Sequence, residues 1–524
     1  MTGLAIGPLM TTTACHAATP VDRVSLLDYL PSAEHGRLRD GTSVFDCTPA
    51  LNRAVQDCAA VGKVLFLPGG IYTVRPTHQL RHDGERAFAC LAAIKLVDGM
   101  RILGEATTII RMVSGYSSDD RPCAMAMFGT DEQLSNVAFD GLTLDMNGDG
   151  NPISPARARG IFNRFPQAHI FVSGKPGGPA ARIDNVRLDD VTFTGSNGVS
   201  CVVMAQTDNP TTRLGNGWQL NRCTFTENGM DTDDHSSVYG YADDVFVRDC
   251  RFANARPFTT TGVNTGYEVH GSNHVISGCT FVNALRGIWV ANNYTAPVTA
   301  TRIERNDFRT LYYGVDFFRD RAEAQDISDT VIAENRFEFD DVASTSILRP
   351  DFKAAVQIAS DFSQHGVAIR NNVVNKIGTV IPSAFLVVTG GGLGDTRHDN
   401  ITAAGNSGKG LTLGSFVRTS PRSGLGRLTI IDNDWENLTP AGAIAVAAGD
   451  AVEQTGTLQP IRSLTLGGGS VIDRRRVPRT MNAIFINGYV QRLNLSPIRT
   501  AGLTGKIYAR GSGAQVTVNV GVKF

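Results

Sequence analysis

The chain lacks an excess of either charge. Its 524 residues carry 49 Lys plus Arg against 50 Asp plus Glu, a formal net charge of −1. Nucleic-acid-binding surfaces show a strong basic excess, so that class is set aside. No apolar run approaches the roughly 20 residues of a membrane span. No CxxC or HExxH spacing occurs, so no metal site is assigned, although Asp233, His235 and His270 are residue types that suit several divalent ions. Helical apolar periodicity is missing outside one short segment. Hydrophobic content is 42%, too high for a disordered chain. What fills the chain is short β-type runs broken by Gly, Asn and Asp.

Those runs repeat. Phe225, Phe252, Phe281, Phe308 and Phe337 follow one another at steps of 27, 29, 27 and 29 residues. Each closes a similar unit: Arg222-Cys223-Thr224-Phe225, Asp249-Cys250-Arg251-Phe252, Gly278-Cys279-Thr280-Phe281, Arg305-Asn306-Asp307-Phe308 and Glu334-Asn335-Arg336-Phe337. Phe193 closes another, 32 residues before Phe225. Such regularity means one structural unit stacked on copies of itself. A strand such as Asp244-Val245-Phe246-Val247-Arg248 buries one face and cannot alone meet the entropy cost of ordering. Stacked at about 4.8 Å per rung, identical positions pile into columns. The sequence therefore predicts an all-β parallel β-helix with a buried phenylalanine column. Cys223, Cys250 and Cys279, two residues before each Phe, face inward beside it as small hydrophobes. Asn or Asp before each apolar alternation, as in Asp184-Asn185-Val186 and Asp243-Asp244-Val245, reads as a corner followed by a strand.

The N-terminal residues to Ala17 or Ala18 have a short apolar stretch, then small residues, and predict a signal peptide over 1–18 and a secreted or periplasmic location. Cys47 and Cys58 bracket a helix and are a candidate disulfide. That helix, Thr48 to Cys58, has Pro49 in its first turn and Leu51, Ala54, Val55 and Cys58 on one face, with Thr- or Ser-type capping. Residues 19–98 then form a cap and first coil, 99–474 the β-helix, and 475–524 a C-terminal β cap or assembly segment. Residues 145–182, rich in Gly and Pro, read as a long loop. Val516, Val518, Val520 and Val522 alternate onto one face of a last strand.

The opening module resembles that of a known superfamily. Asp40-Gly41-Thr42, an Ala-rich helix and Leu67-Pro68-Gly69-Gly70-Ile71-Tyr72 look like the N-terminal signature of the pectate-lyase-like, right-handed parallel β-helix proteins (the pectin lyase fold). The chain departs from it where Val44-Phe45-Asp46 replace paired aspartates. Through the repeats the resemblance extends over residues 40 to 450. It implies a right-handed solenoid and a polysaccharide-active protein, in a superfamily that also holds non-enzymatic adhesins.

Aligning coils on their Phe markers sets Ile288/Val290 and Val315/Phe317 inward, which leaves Trp289 and Asp316 pointing out. By the same rule Glu268 and His270 point out around Val269, and Ser237 and Tyr239 around Val238. One external face then carries His235 or Ser237, Glu268 or His270, Trp289 and Asp316 on consecutive rungs. Glu268 and Asp316 are two rungs apart, roughly 9–10 Å. Paired carboxyls about 6.5–9.5 Å apart suit inverting glycoside hydrolysis and about 5–5.5 Å the retaining kind; Asp233 or Asp234, one rung from Glu268, offers either arrangement. Trp289 supplies a sugar platform, enlarged by Tyr239, Tyr267, Tyr312 and Tyr313. His235 and His270 orient a carboxyl or carry protons. Asn228-Gly229-Met230-Asp231, Asp243-Asp244 and His270-Gly271 resemble the motif order of polygalacturonase-like hydrolases. That resemblance implies Asp231 and Asp244 as the catalytic pair, but the gap between Asp231 and Asp243 is shorter than one coil, and Asp243-Asp244 fits a corner.

The leading reading is thus a secreted glycoside hydrolase with Glu268, Asp233, Asp234 and Asp316 as candidate catalytic carboxyls, and His235, Tyr239, His270, Trp289, Arg286 and Arg319 as candidate substrate-binding residues, needing no cofactor. The alternatives are a polysaccharide lyase, with Arg286, Arg319 and Arg321 near the cleft and a divalent cation such as calcium, and a non-catalytic tailspike-type adhesin, for which a trimer fits. The partner in each case is a poly- or oligosaccharide.

Overall fold

The structure, a computed structural model, describes residues 22–80, 90–118, 124–153, 167–173, 181–206, 215–229, 235–253, 264–282, 284–291, 297–310, 312–318, 327–340, 353–360, 364–377, 382–390, 397–419, 424–438, 442–447 and 459–522. The expected signal peptide, Asp231, Asp233, Asp234, Arg319 and Arg321 lie outside them.

The chain winds as a right-handed parallel β-helix with three long sheets. Each coil gives one strand to each sheet in turn. Phe246–Arg248, Arg251–Ala253 and Asn264–Val269 make one coil, and Val275–Ser277, Thr280–Val282 and Arg286–Ala291 the next. We number the sheets 1, 2 and 3 in that order. Pairing is parallel and in register: in sheet 1, Val247, Ile276, Ile303, Ile332 and Ile369 form one buried column.

Sheet 2 carries the phenylalanines as predicted. Phe193, Phe225, Phe252, Phe281, Phe308 and Phe337 stack with ring centroids 4.7–4.9 Å apart and interplanar angles of 2–8°. The spacing is that of the rungs, so offset stacking follows from the backbone repeat. Cys223, Cys250 and Cys279 are buried free thiols, and each donates to a carbonyl, of Leu188, Leu220 and Val247 respectively. From Asn306 onward the same position holds Asn306, Asn335, Asn372, Asn406 and Asn433. Each Oδ1 accepts the backbone N–H one rung back, at 2.9–3.0 Å. The residue before this column turns in the left-handed region: Asp249 (φ 54), Arg305 (φ 55), Glu334 (φ 58) and Asn371 (φ 55). That turn closes the corner between sheets 1 and 2. Short polar side chains are enriched in this conformation; Arg305 and Glu334 show that the stacked rungs impose it on others too.

The end of the solenoid is covered as predicted by a helix, α2 (Thr48–Ala60), which buries Leu51, Ala54, Val55 and Cys58. Its cap differs from expectation: the Asp46 carboxylate accepts the Thr48 N–H at 3.0 Å, and the Thr48 hydroxyl instead accepts the Arg75 N–H. A preceding helix, α1 (Ser32–Arg39), was not foreseen, because it buries only Leu38 and has no apolar stripe. Cys47 and Cys58 are both free. They sit at opposite ends of α2, about 16 Å apart along its axis, beyond disulfide reach.

Two other expectations change. Within 145–182, Gln167–Ser173 is a fully buried strand of sheet 3 rather than loop, because Ala168, Ile170, Phe171 and Val172 are apolar and His169 is satisfied by the Thr194 carbonyl. Beyond 474 the winding continues: Ile484–Asn487, Tyr489–Leu495, Arg499–Ala501, Tyr508–Arg510 and Gln515–Gly521 all pair in parallel with the rung before. The four terminal valines do not share a face: Val516 pairs with the buried Val490, and Val518 with Arg492. No helix among the described residues is long and apolar enough to cross a membrane.

Candidate functional site on the outer face of sheet 3

Four consecutive strands of sheet 3 build the site: His235–Gly240, Asn264–Val269, Arg286–Ala291 and Tyr313–Phe318. Val238, Tyr267, Ile288 and Val315 share one register position and fill the core. The next position is an outward column, Tyr239, Glu268, Trp289 and Asp316. Strand alternation thus puts Glu268 and Asp316 on one face, two rungs apart.

The face is closed rather than an open groove. Glu268 is 3% exposed and Asp316 2%. The physical reason is that each carboxyl is wrapped by its neighbours. Glu268 uses both oxygens: the Ser236 hydroxyl donates to Oε1, and His270 Nε2 lies 2.7 Å from Oε2. The His270 ring packs against Tyr239 at 4.5 Å and edge-on to Trp289 at 6.0 Å. Asp316 pairs with Arg286, Nε to Oδ2, at 2.8 Å. The Arg286 guanidinium also lies 4.9 Å over the Trp289 ring. Trp289 is therefore almost buried between His270 and Arg286, not a free platform. Burial pushes the Asp316 carboxyl above its ordinary range, and Arg286 works against that rise.

Seven residues, Ser236, Tyr239, Glu268, His270, Arg286, Trp289 and Asp316, are thus gathered in one cluster. Other candidates are not. His235 faces away from it, 1% exposed, and donates from Nδ1 to the Gly198 carbonyl at 2.6 Å. Burial drops it to about 4, so it is neutral. It alternates with Ser236, and only one of the two can point toward Glu268. Tyr267 points inward, its hydroxyl 3.0 Å from His274 Nδ1. Tyr312 is buried, and Tyr313 shares the register position of Arg286. Asp243 and Asp244 serve a corner: Asp244 has φ 54, Asp243 accepts the Ser272 N–H at 2.8 Å, and Asp244 accepts from the Asn273 side chain.

Ser236 went unforeseen, because simple alternation assigned Ser237 to the outer face. A Cβ on Gly266, at the position matching Ser237, would lie 2.6 Å from the Phe281 ring. Positions 266 and 267 therefore both face the interior. This irregularity moves the outward position back to Ser236. Glycine recurs there, as Gly287 against Phe308 and Gly314 against Phe337, and that recurrence was the available signal. Among the described residues no three His, Cys, Asp or Glu side chains gather as a metal site.

Neither a protein-family model nor a curated protein sequence matches the chain. Solved structures do. One is a tailspike protein of E. coli bacteriophage HK620, solved as a point mutant with a pentasaccharide, at TM-score 0.59 and 12% identity, covering 94% of this chain and 80% of that one. A second mutant of it, also with a pentasaccharide, gives TM-score 0.60 at the same identity and coverage. The pre-mature gene product 12 of bacteriophage phi29 gives TM-score 0.60 at 13% identity, covering 94% of this chain, which spans 57% of that one. At such identity the likeness speaks to the fold, and it is to a β-helical architecture.

Proposed function

We propose that this is a carbohydrate-active protein, a secreted or periplasmic glycoside hydrolase working on the outer face of sheet 3. The observation that carries the reading is the pair of outward carboxyls two rungs apart, each with a dedicated partner and with Trp289 between them. Roughly 9–10 Å between the strand positions suits an inverting mechanism, which leaves room for a water between acid and base. Asp316, whose proton affinity is raised by burial, is the general acid that protonates the leaving oxygen. Glu268, held by the Ser236 hydroxyl and His270, is the base that takes a proton from the attacking water. Arg286 positions Asp316, and His270 positions Glu268. The tailspike structures, described with a pentasaccharide, support a glycan ligand for a fold of this kind.

A second reading, glycan binding without cleavage, is favoured by the enclosure of Glu268 and Asp316. One experiment separates the two. A panel of polysaccharides is assayed for new reducing ends and for near-ultraviolet absorbance. Hydrolysis gives ends without absorbance, elimination gives both, and binding alone gives neither. Glu268→Gln should lower turnover by at least about 100-fold, the usual weight of a general acid or base, with circular dichroism unchanged. A folded variant with near-normal turnover refutes the assignment.

A further inference from the structure

The outward column of Glu268 and Asp316 does not end at the cluster. Register carries it on through Gln357, Val387, Phe416, Ala445 and Phe485. Phe416 lies four rungs beyond Trp289, and Phe485 two rungs beyond Phe416. At the strand spacing those steps are about 19 Å and about 10 Å. Both rings are partly exposed, unlike the phenylalanine column of sheet 2, which fills the interior. Phe416 packs against the buried Val387 and Ala445 of this outer face, which holds its ring in place on the column. The neighbouring outward column supplies Thr389, Arg418 and Asn487 in register beside the rings, all partly exposed.

This arrangement has a specific chemistry. Flat apolar faces accept the C–H face of a pyranose ring, and the flanking hydroxyl, guanidinium and amide groups meet its equatorial hydroxyls. The step between Phe416 and Phe485 matches the length of a disaccharide. The site continues the column that holds the carboxyls, so one extended chain lying along the solenoid axis reaches both.

We propose that Phe416 and Phe485 form a second glycan-binding site that holds the same polymer chain as the carboxyl cluster, making the substrate a long polysaccharide engaged internally. The inference rests on reading the outer face of sheet 3 as glycan-active. The test uses the full-length protein and affinity electrophoresis against soluble dextran, xylan, alginate, polygalacturonate and bacterial O-polysaccharide, together with a trisaccharide of any polymer that retards the protein. Phe416→Leu and Phe485→Leu keep apolar packing but remove the flat ring. Each is expected to weaken the Kd for the polymer at least fivefold more than the Kd for the trisaccharide, whereas Trp289→Leu weakens both alike. Wild-type polymer affinity in both Phe variants, equal weakening for polymer and trisaccharide, or no retardation of the wild type by any polymer overturns the proposal. Polymer binding that depends on Phe416 and Phe485 but releases no reducing ends refutes the hydrolase reading and leaves the second site standing. Release of reducing ends with unchanged KM in both variants does the reverse.

Discussion

Four buried histidines should make this solenoid lose stability in acid before its carboxylates titrate. His169, His235, His274 and His398 are each held at about 4 by burial. One nitrogen of each meets a carbonyl, of Thr194, Gly198, Ala242 and Thr389 respectively, at 2.6–3.1 Å. His274 shows why a second proton is refused: Nε2–H donates to Ala242, so Nδ1 must accept from the Tyr267 hydroxyl. An unfolded histidine titrates near 6.5. Below that pH the unfolded chain takes up protons that the folded chain rejects, so stability is fully present above about 6.5 and is lost as pH falls toward 4. Each histidine contributes about 3 kcal/mol across that window, and four together exceed the order of 10 kcal/mol that is a whole domain's stability. Near pH 5 unfolding should absorb close to four protons, a slope of about 5 kcal/mol per pH unit. The assay is urea unfolding followed by circular dichroism from pH 8 to pH 5, with the slope compared between the wild type and His398→Gln, which should absorb about one proton fewer. A midpoint that stays level between pH 6.5 and 5 would refute the buried, neutral assignment.

Three further outcomes follow from the same geometry. Gly287→Ala would place a Cβ 2.5 Å from the Phe308 ring and 2.8 Å from the Gly314 carbonyl; a loss of about 1–3 kcal/mol, typical of overpacking, is expected in denaturant unfolding. Asn335→Ala removes the acceptor of the Asn306 N–H and side-chain amide, and the donor to the Ile303 carbonyl; leaving these buried groups unpaired should cost about 3 kcal/mol, with faster hydrogen exchange at Asn306. Arg286→Gln removes the cation that opposes the rise of Asp316. If Asp316 is the acid, the alkaline limb of the pH–rate profile should move up by about 1–3 units; an unmoved limb takes that role away from Asp316.

The core was legible because a parallel solenoid converts period into position. Six phenylalanines at steps close to 27–32 residues had one physical explanation, and the ring stack follows from it. The inward face was equally clear, since Ile288, Val290, Val315 and Phe317 alternate with outward residues. The asparagine column was harder. Its members were visible as Asn306 and Asn335, but a ladder appears only once Oδ1 and N–H are known to meet between rungs. The outer face was legible in direction and not in enclosure: alternation decides which way Glu268 points, and says nothing about how tightly Tyr239, His270 and Trp289 close over it.

The register that creates the cluster also makes it fragile in one particular way. A one-residue slip in a strand exchanges its two faces. Applied to Asn264–Val269, a slip would drive Glu268 into the core and bring Tyr267 or Val269 out. Burial of Tyr267 and Val269 specifies the register, and hydrogen bonds at the corner that leads into sheet 1 add to it. Asp243 accepts the Ser272 N–H, and Asp244 accepts from Asn273 one rung on. These aspartates need no contact with a ligand to matter. They set where the Val275–Ser277 strand begins, and through it the phase of the coil that carries Glu268 and His270. Loss of the Asp243 carboxylate should therefore disturb the Glu268–His270 contact while every residue of the cluster remains in place in the sequence.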